Sequence, residues 1–167
     1  VVPVAESLSE AGIYGFCVAL TSEIRELLQS GIQNPILHLG RISADELDVY
    51  QSGQVRCTVN TYEDLNTLEE FGYKNRSTLM THLKVDTGMG RMGIRYEDLG
   101  SMMDALSKSK YIEVEGLYSH FSTAEEKNTE YRDWQITRFK KIIDRAKKIL
   151  PKIEYFHMAN SAAVLTF

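Results

Sequence analysis

Short apolar runs rich in β-forming residues alternate with longer amphipathic stretches along the whole chain. Each run is too short for a buried helix but has the length and composition of a strand. Six runs are therefore predicted as strands, at residues 14–20, 36–39, 55–59, 80–85, 114–119 and 153–157. Repeated strand–helix units imply parallel strands that are covered by helices and joined by right-handed crossovers.

The stretches between the runs carry apolar residues three and four positions apart, which is typical of amphipathic helices. Thr21 is predicted to cap one of them, and capping boxes are predicted to begin at Ser43 and at Thr61. Pro151 is predicted to end the longest helix. Helices are thus predicted over 4–11, after 21, after 43, over 61–72, over 99–106, over about 131–150 and from 159 onward.

This alternation fits two architectures, an open doubly wound sheet and a (β/α)8 barrel. Periodicity does not choose between them, and six predicted strands are fewer than a barrel needs. The chain begins with a helix and stops where another helix begins, which is unusual for a complete domain. From the residues alone we expect part of a larger domain, lacking one strand unit at each end.

Composition and charge describe an ordinary globular chain and exclude several classes of function. The 167 residues include 19 Lys and Arg and 23 Asp and Glu, for a net charge of −4. This balance argues against a general nucleic-acid binder, which needs a basic face. No apolar run approaches the roughly 20 residues of a membrane span, and the first residues lack a signal-peptide pattern. Cys17 and Cys57 both lie in apolar runs, so we expect buried thiols, no metal centre and a cytoplasmic protein.

The residues after each strand are the candidates for chemistry, because parallel sheets bind ligands at the carboxyl ends of their strands. Residues 84–93, KVDTGMGRMG, follow the fourth strand, and their glycines predict a tight loop with unusual backbone angles. Lys84 and Arg91 are predicted to lie close together there, and two cations need an anion near them. An ion pair of Asp86 with either cation is the simpler interpretation.

Two further strand ends carry polar candidates. His120 follows the fifth predicted strand, where it either contacts a ligand or packs as a hydrogen-bonded structural residue. Asn160 and Ser161 follow the sixth and have the side chains of helix N-caps. A helix N-terminus also offers free N–H groups and partial positive charge, which suit a phosphate. His38 and His82 show no partner pattern and are interpreted as structural.

Four segments resemble the alanine racemase family, whose members use pyridoxal 5'-phosphate (PLP). Residues 83–93, LKVDTGMGRMG, resemble the family's central motif. The segments GLYSHFSTA (116–124), HMANSAA (157–163) and PILHLG (35–40) are similar to those at the sixth, seventh and third barrel strands. The resemblance extends over essentially the whole chain. It implies an α/β fold, a partial TIM (β/α)8 barrel of PLP fold-type III, in which residues 1–167 form an incomplete N-terminal barrel domain with about strands two to seven.

The resemblance also implies roles for two cations and a histidine. Arg91 is implied to hydrogen-bond the phenolic oxygen of PLP and so to tune the cofactor's electronics. Lys84 is implied to be carbamylated, which converts a cation into an anion that orients Arg91. His120 is implied to lie beside the PLP ring and beside the catalytic tyrosine of a partner subunit. Arg91 and His120 are therefore the candidate catalytic residues.

The remaining positions are implied to bind the cofactor or support its site. Ser161 is implied to bind the PLP phosphate, and Asn160 lies beside it in the pocket. Leu39 is implied to line the site of the PLP ring. Asp86 is interpreted as structural support for the glycine-rich loop.

The implied reaction interconverts L-alanine and D-alanine for cell-wall precursor supply, in a homodimer. The family's Schiff-base lysine is implied to lie upstream of Val1, and its tyrosine base in a C-terminal domain. We therefore expect the 167 residues alone to be inactive. Two other functions stay open, a PLP-binding module of the same barrel class that does not racemise and a structural or interaction domain.

Overall fold

Seven strands and six α-helices alternate along residues 1–166, the part of the chain that the computed structural model describes. The strands are β1 (Phe16–Val18), β2 (Ile36–His38), β3 (Val55–Val59), β4 (Leu79–Asp86), β5 (Ile94–Arg95), β6 (Ile112–Tyr118) and β7 (Tyr155–His157). The α-helices are α1 (Val2–Glu10), α2 (Thr21–Gln29), α3 (Tyr62–Asn75), α4 (Leu99–Ser107), α5 (Glu130–Ile149) and α6 (Ser161–Thr166). A 3₁₀ helix occupies Ala44–Ser52.

The sheet has the order β1-β2-β3-β4-β6-β7, and every neighbouring pair is parallel. This order follows the chain without the reversal that marks a doubly wound sheet. The sheet also curls, because Tyr14 beside β1 and Tyr155 in β7 come from opposite ends of the order, yet their hydroxyl oxygens are 2.7 Å apart. The fold is a parallel-strand half-barrel, which confirms the barrel that the resemblance implied.

All six predicted strands are present at or within a few residues of their predicted positions. The pattern did not predict β5, whose two residues pair with the end of β4 in the register Val85↔Ile94 and Asp86↔Arg95. A strand of two residues is too short to show an alternation of apolar and polar positions. Because β5 returns to the end of β4, it fixes both ends of the loop at residues 87–93.

The hydrophobic core lies between the sheet and its helices. Leu83 and Leu117 of neighbouring strands are fully buried, as are Ile24, Met102 and Ile142 of three helices. Side chains alternate along a strand, so Lys84 and Tyr118, which follow those leucines, point into the half-barrel. Of the helices in the described part of the chain, none combines the length and the apolarity that crossing a bilayer requires.

One of the two thiols differs from its prediction. Cys57, in the central strand β3, is fully buried as predicted. Cys17 is exposed, so that part of the prediction is wrong. The reason is that Cys17 lines an open cavity of about 280 Å³ together with Leu37, His82 and His157, whereas its neighbour Val18 is buried.

The three predicted helix starts have different outcomes. The capping box at Thr61 is confirmed, since its Oγ1 accepts a hydrogen bond from the Asp64 N–H at 3.0 Å and the Asp64 carboxylate accepts one from the Thr61 N–H at 2.9 Å. Thr21 is the first residue of α2, whose N-cap is Leu20, so the prediction that Thr21 caps this helix is wrong. The Thr21 hydroxyl donates instead to the Glu46 carboxylate at 2.5 Å. Ser43 is the N-cap of the 3₁₀ helix, but its side chain makes no capping hydrogen bond, so the capping box predicted there with Glu46 is absent.

Candidate active site

The carboxyl ends of the parallel strands meet at one rim of the half-barrel and bring the predicted site segments to it. Lys84, Tyr118 and His157 are adjacent in register across β4, β6 and β7. Leu39 follows β2 at the same rim, where its N–H donates to the Val18 carbonyl at 2.8 Å. The rim is therefore the place where the sequence-predicted residues can act on one ligand.

Lys84 is a buried cation on the inner face of this rim. Its residue is only 5% exposed, and its Nζ lies 5.2 Å from the centre of the Tyr118 ring. Burial, with a further contribution from the charge of Arg91, lowers the pKa of Lys84. Tyr118 is itself held in place by a hydrogen bond of 3.1 Å between its hydroxyl and that of Thr58. The lysine therefore sits where its neutral amine is favoured more than at a surface.

The glycine-rich loop is organised by Asp86 rather than by an ion pair. The Asp86 carboxylate accepts hydrogen bonds from the backbone N–H groups of Gly88, at 2.8 Å, and of Gly90, at 3.0 Å. Within residues 1–166, no ion pair joins Asp86 to Lys84 or Arg91. The interpretation of Asp86 as support for the loop is confirmed, and the simpler ion-pair interpretation is wrong.

Gly93 shows why this loop needs a glycine where it returns to the sheet. Its φ of +111° lies outside the range that other residues adopt readily. A Cβ at this position would also lie 3.0 Å from the Lys84 Cγ and 3.0 Å from the Asp86 nitrogen. The backbone of the loop therefore packs directly on the stem of Lys84.

Arg91 lies near Lys84, as the sequence predicted, and His120 is close enough to both for their charges to act on it. Arg91 is exposed and His120 is half-buried. Burial is the main cause that lowers the pKa of His120, and the positive charges of Arg91 and Lys84 lower it further. Arg91 and Lys84 thus form a cationic group beside the neutral ring of His120 at the ends of β4 and β6, and this group favours an anionic ligand.

Asn160 and Ser161 form the start of α6, directly after β7. The Asn160 Oδ1 accepts a hydrogen bond from the Ala163 N–H at 2.9 Å, so its predicted capping role is confirmed. Ser161 is the first residue of the helix and is exposed at the rim. The fold brings Asn160, Ser161 and Leu39 to the same rim as the cationic group, without a direct contact to it among the hydrogen bonds of residues 1–166.

A cavity of about 430 Å³ opens beside Arg91, between the ends of β3 and β4. It is lined in part by Arg41, Asn60, Asp64 and Gly93. Asn60 is 6% exposed, yet neither its Nδ2 nor its Oδ1 has a hydrogen-bond partner within residues 1–166. A buried amide with no partner is costly, which indicates that Asn60 faces a polar group that the chain itself does not supply.

A family model, that of the alanine racemase N-terminal domain, matches residues 1–167. The chain belongs to the alanine racemase family. The alanine racemase of Ligilactobacillus salivarius is 39% identical over 166 residues, which cover 98% of this chain and 44% of that protein. That of Desulforamulus reducens is 36% identical over 167 residues, which cover 99% of this chain and 45% of that protein. The chain spans less than half the length of these relatives.

Solved structures of alanine racemases have the same fold. The enzyme from Clostridium difficile 630 superposes with a TM-score of 0.90 at 32% identity, over 98% of this chain and 45% of that chain. The enzyme from Bacillus anthracis, solved with bound L-Ala-P, superposes with a TM-score of 0.86 at 35% identity, over 99% of this chain and 43% of that chain. The half-barrel therefore matches the corresponding part of the barrel in alanine racemases.

This alanine racemase family member also carries a polar network that the sequence analysis missed. Below Lys84, the Nδ1 of His82 lies 3.0 Å from the Nε2 of His157, and the His82 Nε2 lies 3.4 Å from the Glu115 carboxylate. The same Glu115 oxygen accepts a hydrogen bond of 2.8 Å from the Arg56 Nε. A Cβ at Gly116 would lie 2.3 Å from the His82 Nδ1, so this glycine provides the space for the ring.

The structure changes the interpretation of the histidines. His38 is structural as predicted, because its Nδ1 lies 2.6 Å from the Tyr50 hydroxyl and its Nε2 lies 3.2 Å from the Ala19 carbonyl. His82 belongs instead to a chain of four titratable groups inside the half-barrel. The register between strands brings these four groups together, and no pattern within a single segment of the sequence reveals that register.

Proposed function

We propose that this chain supplies the PLP-facing part of an active site at which L-alanine and D-alanine interconvert. The position of Arg91 beside Lys84 and His120 at the rim supports the proposal, because it brings the glycine-rich motif and a guanidinium that favours an anionic ligand to one place. PLP, when bound, draws electrons away from the α-carbon of an amino acid and so acidifies its α-hydrogen. On this proposal the product D-alanine serves cell-wall precursor supply in the cytoplasm, and the working form is a homodimer.

The residues present fit PLP on the grounds of charge and position. Arg91 is exposed at the rim and would hydrogen-bond the phenolic oxygen, since a guanidinium favours the ionised phenolate. Ser161 would donate its hydroxyl to the phosphate, with Asn160 fixing the start of the helix. Leu39 would contact the ring. His120 would face the ring as a neutral imidazole at pH 7, because burial and the nearby cations lower its pKa.

Lys84 would carry a carbamate in this site. A neutral amine would attack the carbon of CO₂: the N–C bond forms as one C=O π bond breaks and its electron pair moves to oxygen, and the nitrogen releases one proton to solvent. The product is an anionic –NH–COO⁻ group. Burial already favours the neutral amine of Lys84, and the product anion would pair with Arg91. The register Val59↔Leu83, extended by one residue, pairs the position of Asn60 with that of Lys84 on the neighbouring strand, and the Asn60 amide has no partner within residues 1–166. The N–H and oxygens of a carbamate would satisfy both atoms of that amide.

Binding of PLP to the purified chain tests the proposed function. We expect titration with PLP, followed by its absorbance, to show saturable binding that Arg91→Leu weakens by roughly tenfold, the value of one charge-assisted hydrogen bond. Arg25→Leu is the matched control, because Arg25 pairs with Asp48 on the surface. We expect no racemisation of alanine by these 167 residues alone. Equal binding by all three proteins, or turnover by the isolated chain, would contradict the proposal.

The carbamate is tested separately with ¹³C-labelled bicarbonate. We expect the purified chain to show a carbamate carbon resonance that Lys84→Gln removes. Lys140→Gln, the same change at an exposed position of α5, should leave the resonance in place. Two results would show that Lys84 is not carbamylated. One is the absence of a carbamate resonance in the unmodified chain, and the other is a resonance that persists in Lys84→Gln.

A further inference from the structure

Gln135 is a fully buried polar residue of α5 that lies between the two loops of the candidate site. Its Nε2 donates hydrogen bonds to the Thr87 Oγ1 and to the His120 carbonyl, each at 3.2 Å. Its Oε1 accepts hydrogen bonds from the N–H of Ser122, at 3.1 Å, and from the Ser122 hydroxyl, at 3.2 Å. These four bonds use the full capacity of the amide group.

The Thr87 side of this contact continues into the sheet. The Thr87 and Ser119 hydroxyl oxygens are 2.7 Å apart, and the Ser119 hydroxyl donates to the Val85 carbonyl at 2.8 Å. Each hydroxyl has one hydrogen, so Thr87 must donate to Ser119 while it accepts from Gln135. The result is a single directed chain of hydrogen bonds that crosses the ends of β4 and β6. Networks of buried polar groups with every member satisfied favour one geometry over others.

A second residue of α5 holds the glycine-rich loop from outside. Tyr131, one helical turn before Gln135, donates its hydroxyl to the Gly88 carbonyl at 2.6 Å. A Cβ at Gly88 would lie 2.7 Å from the Trp134 ring, so the loop backbone packs directly on the helix. The first turns of α5 therefore contact the loop that leads to Arg91 at two separate points.

We infer that Gln135 is a positioning residue, which fixes the loop carrying Arg91 and the loop carrying His120 relative to each other. Tyr131 fixes the first of these loops only. Such an anchor matters because Gly88 and Gly90, at φ values of +141° and +71°, leave the loop many conformations when it is not held. The catalytic meaning of this anchor rests on the proposed function, whereas the coupling of the two loops does not.

Hydrogen exchange at backbone amides measures this coupling without cofactor or turnover. In Gln135→Met, which keeps the volume and removes the amide, we expect the N–H groups of Ser122, Gly88 and Gly90 to exchange faster by roughly tenfold. The amides of β3 should keep their protection. Lys140→Met, the same product residue at an exposed site of α5, should change neither loop.

Two further variants separate positioning from general loss of structure. Gln135→Glu, buried as the neutral acid, keeps the acceptor for Ser122 and has one donor in place of two. It should therefore restore protection at Ser122, while Gly88 and Gly90 exchange at rates between those of the unmodified chain and of Gln135→Met. Tyr131→Phe should accelerate exchange at Gly88 and Gly90 and leave Ser122 unchanged. A uniform increase that includes β3, or unchanged exchange in both loops of Gln135→Met, would overturn the inference. Because exchange is read without PLP, either outcome is independent of the proposed cofactor site.

Discussion

Replacing Arg56 with methionine is expected to lower the free energy of unfolding by about 3 kcal/mol, because it leaves a buried carboxylate without its closest and permanently charged partner. The Glu115 residue is 9% exposed and accepts a hydrogen bond of 2.8 Å from the Arg56 Nε. Burial alone raises the pKa of Glu115, but hydrogen bonds from His82 and Arg56 outweigh it and hold this pKa below its usual range. The carboxylate is therefore charged at neutral pH, and the variant must bury that charge with His82 as its remaining partner.

Urea denaturation followed by circular dichroism measures this loss. Arg25→Met is the matched control, since Arg25 makes a two-pronged contact with Asp48, at 2.6 and 2.7 Å, but both side chains are exposed. Solvent-exposed pairs contribute little, so the control should be close to the unmodified chain. Similar losses of unfolding free energy in the two variants would mean that the buried ion pair stabilises the fold no more than the exposed one.

A second substitution shows whether the loss comes from the stranded charge. Glu115→Gln removes the negative charge. The double variant Arg56→Met with Glu115→Gln removes both charges of the ion pair, so neither is left buried alone. We expect the double variant to be more stable than the sum of the two single losses predicts, because neighbouring groups couple in a double-mutant cycle. Additive losses would instead assign the effect of Arg56→Met to packing of its alkyl chain.

Six of the seven strands within residues 1–166 were predictable because each coincides with a short apolar run that is flanked by polar or turn-forming residues. Val55–Val59 matches its predicted run at both ends. The contacts between strands were not predictable, since the register Lys84↔Tyr118↔His157 is set by the sheet rather than by any single segment. The capping pattern at Ser43 failed for a similar reason, because Glu46 is bonded by Thr21 from another helix.

Some residues of the candidate site were likewise predictable from the sequence, and others were not. Arg91 and His120 were predictable from their places just after strands, where parallel sheets present their ligands. Gln135 was missed because it lies in the apolar stripe of α5, at the helical spacing that leads to Phe139, Ile142 and Ala146. A polar residue on a buried helix face needs partners, so its position in that stripe was a signal. The partners themselves come from two distant loops and appear only in the folded chain.

Acidification from pH 7 to 4 is expected to destabilise the folded chain by about 3 kcal/mol through His157 alone. Burial, with the neighbouring His82, lowers the pKa of His157 from 6.5 to about 4. The two rings share one hydrogen bond of 3.0 Å, so protonating both would bring two N–H donors face to face. In the unfolded chain His157 takes up its proton near pH 6.5. Its contribution to stability is therefore complete above that pH and is lost as the pH falls toward 4.

The variant His157→Gln isolates this contribution, because glutamine does not titrate. Chemical denaturation at several pH values should show a steep fall in stability below pH 6.5 for the unmodified chain and a shallower one for the variant. Some slope should remain, since the pKa of Glu115 is also lowered in the folded state and its contribution is likewise lost on acidification. His120→Gln is the comparison: the pKa of His120 is also lowered, so this variant should flatten the curve too, but less than His157→Gln, since His157 has the larger shift. Parallel curves for the unmodified chain and His157→Gln would show that the ring takes up a proton as readily in the folded half-barrel as in water.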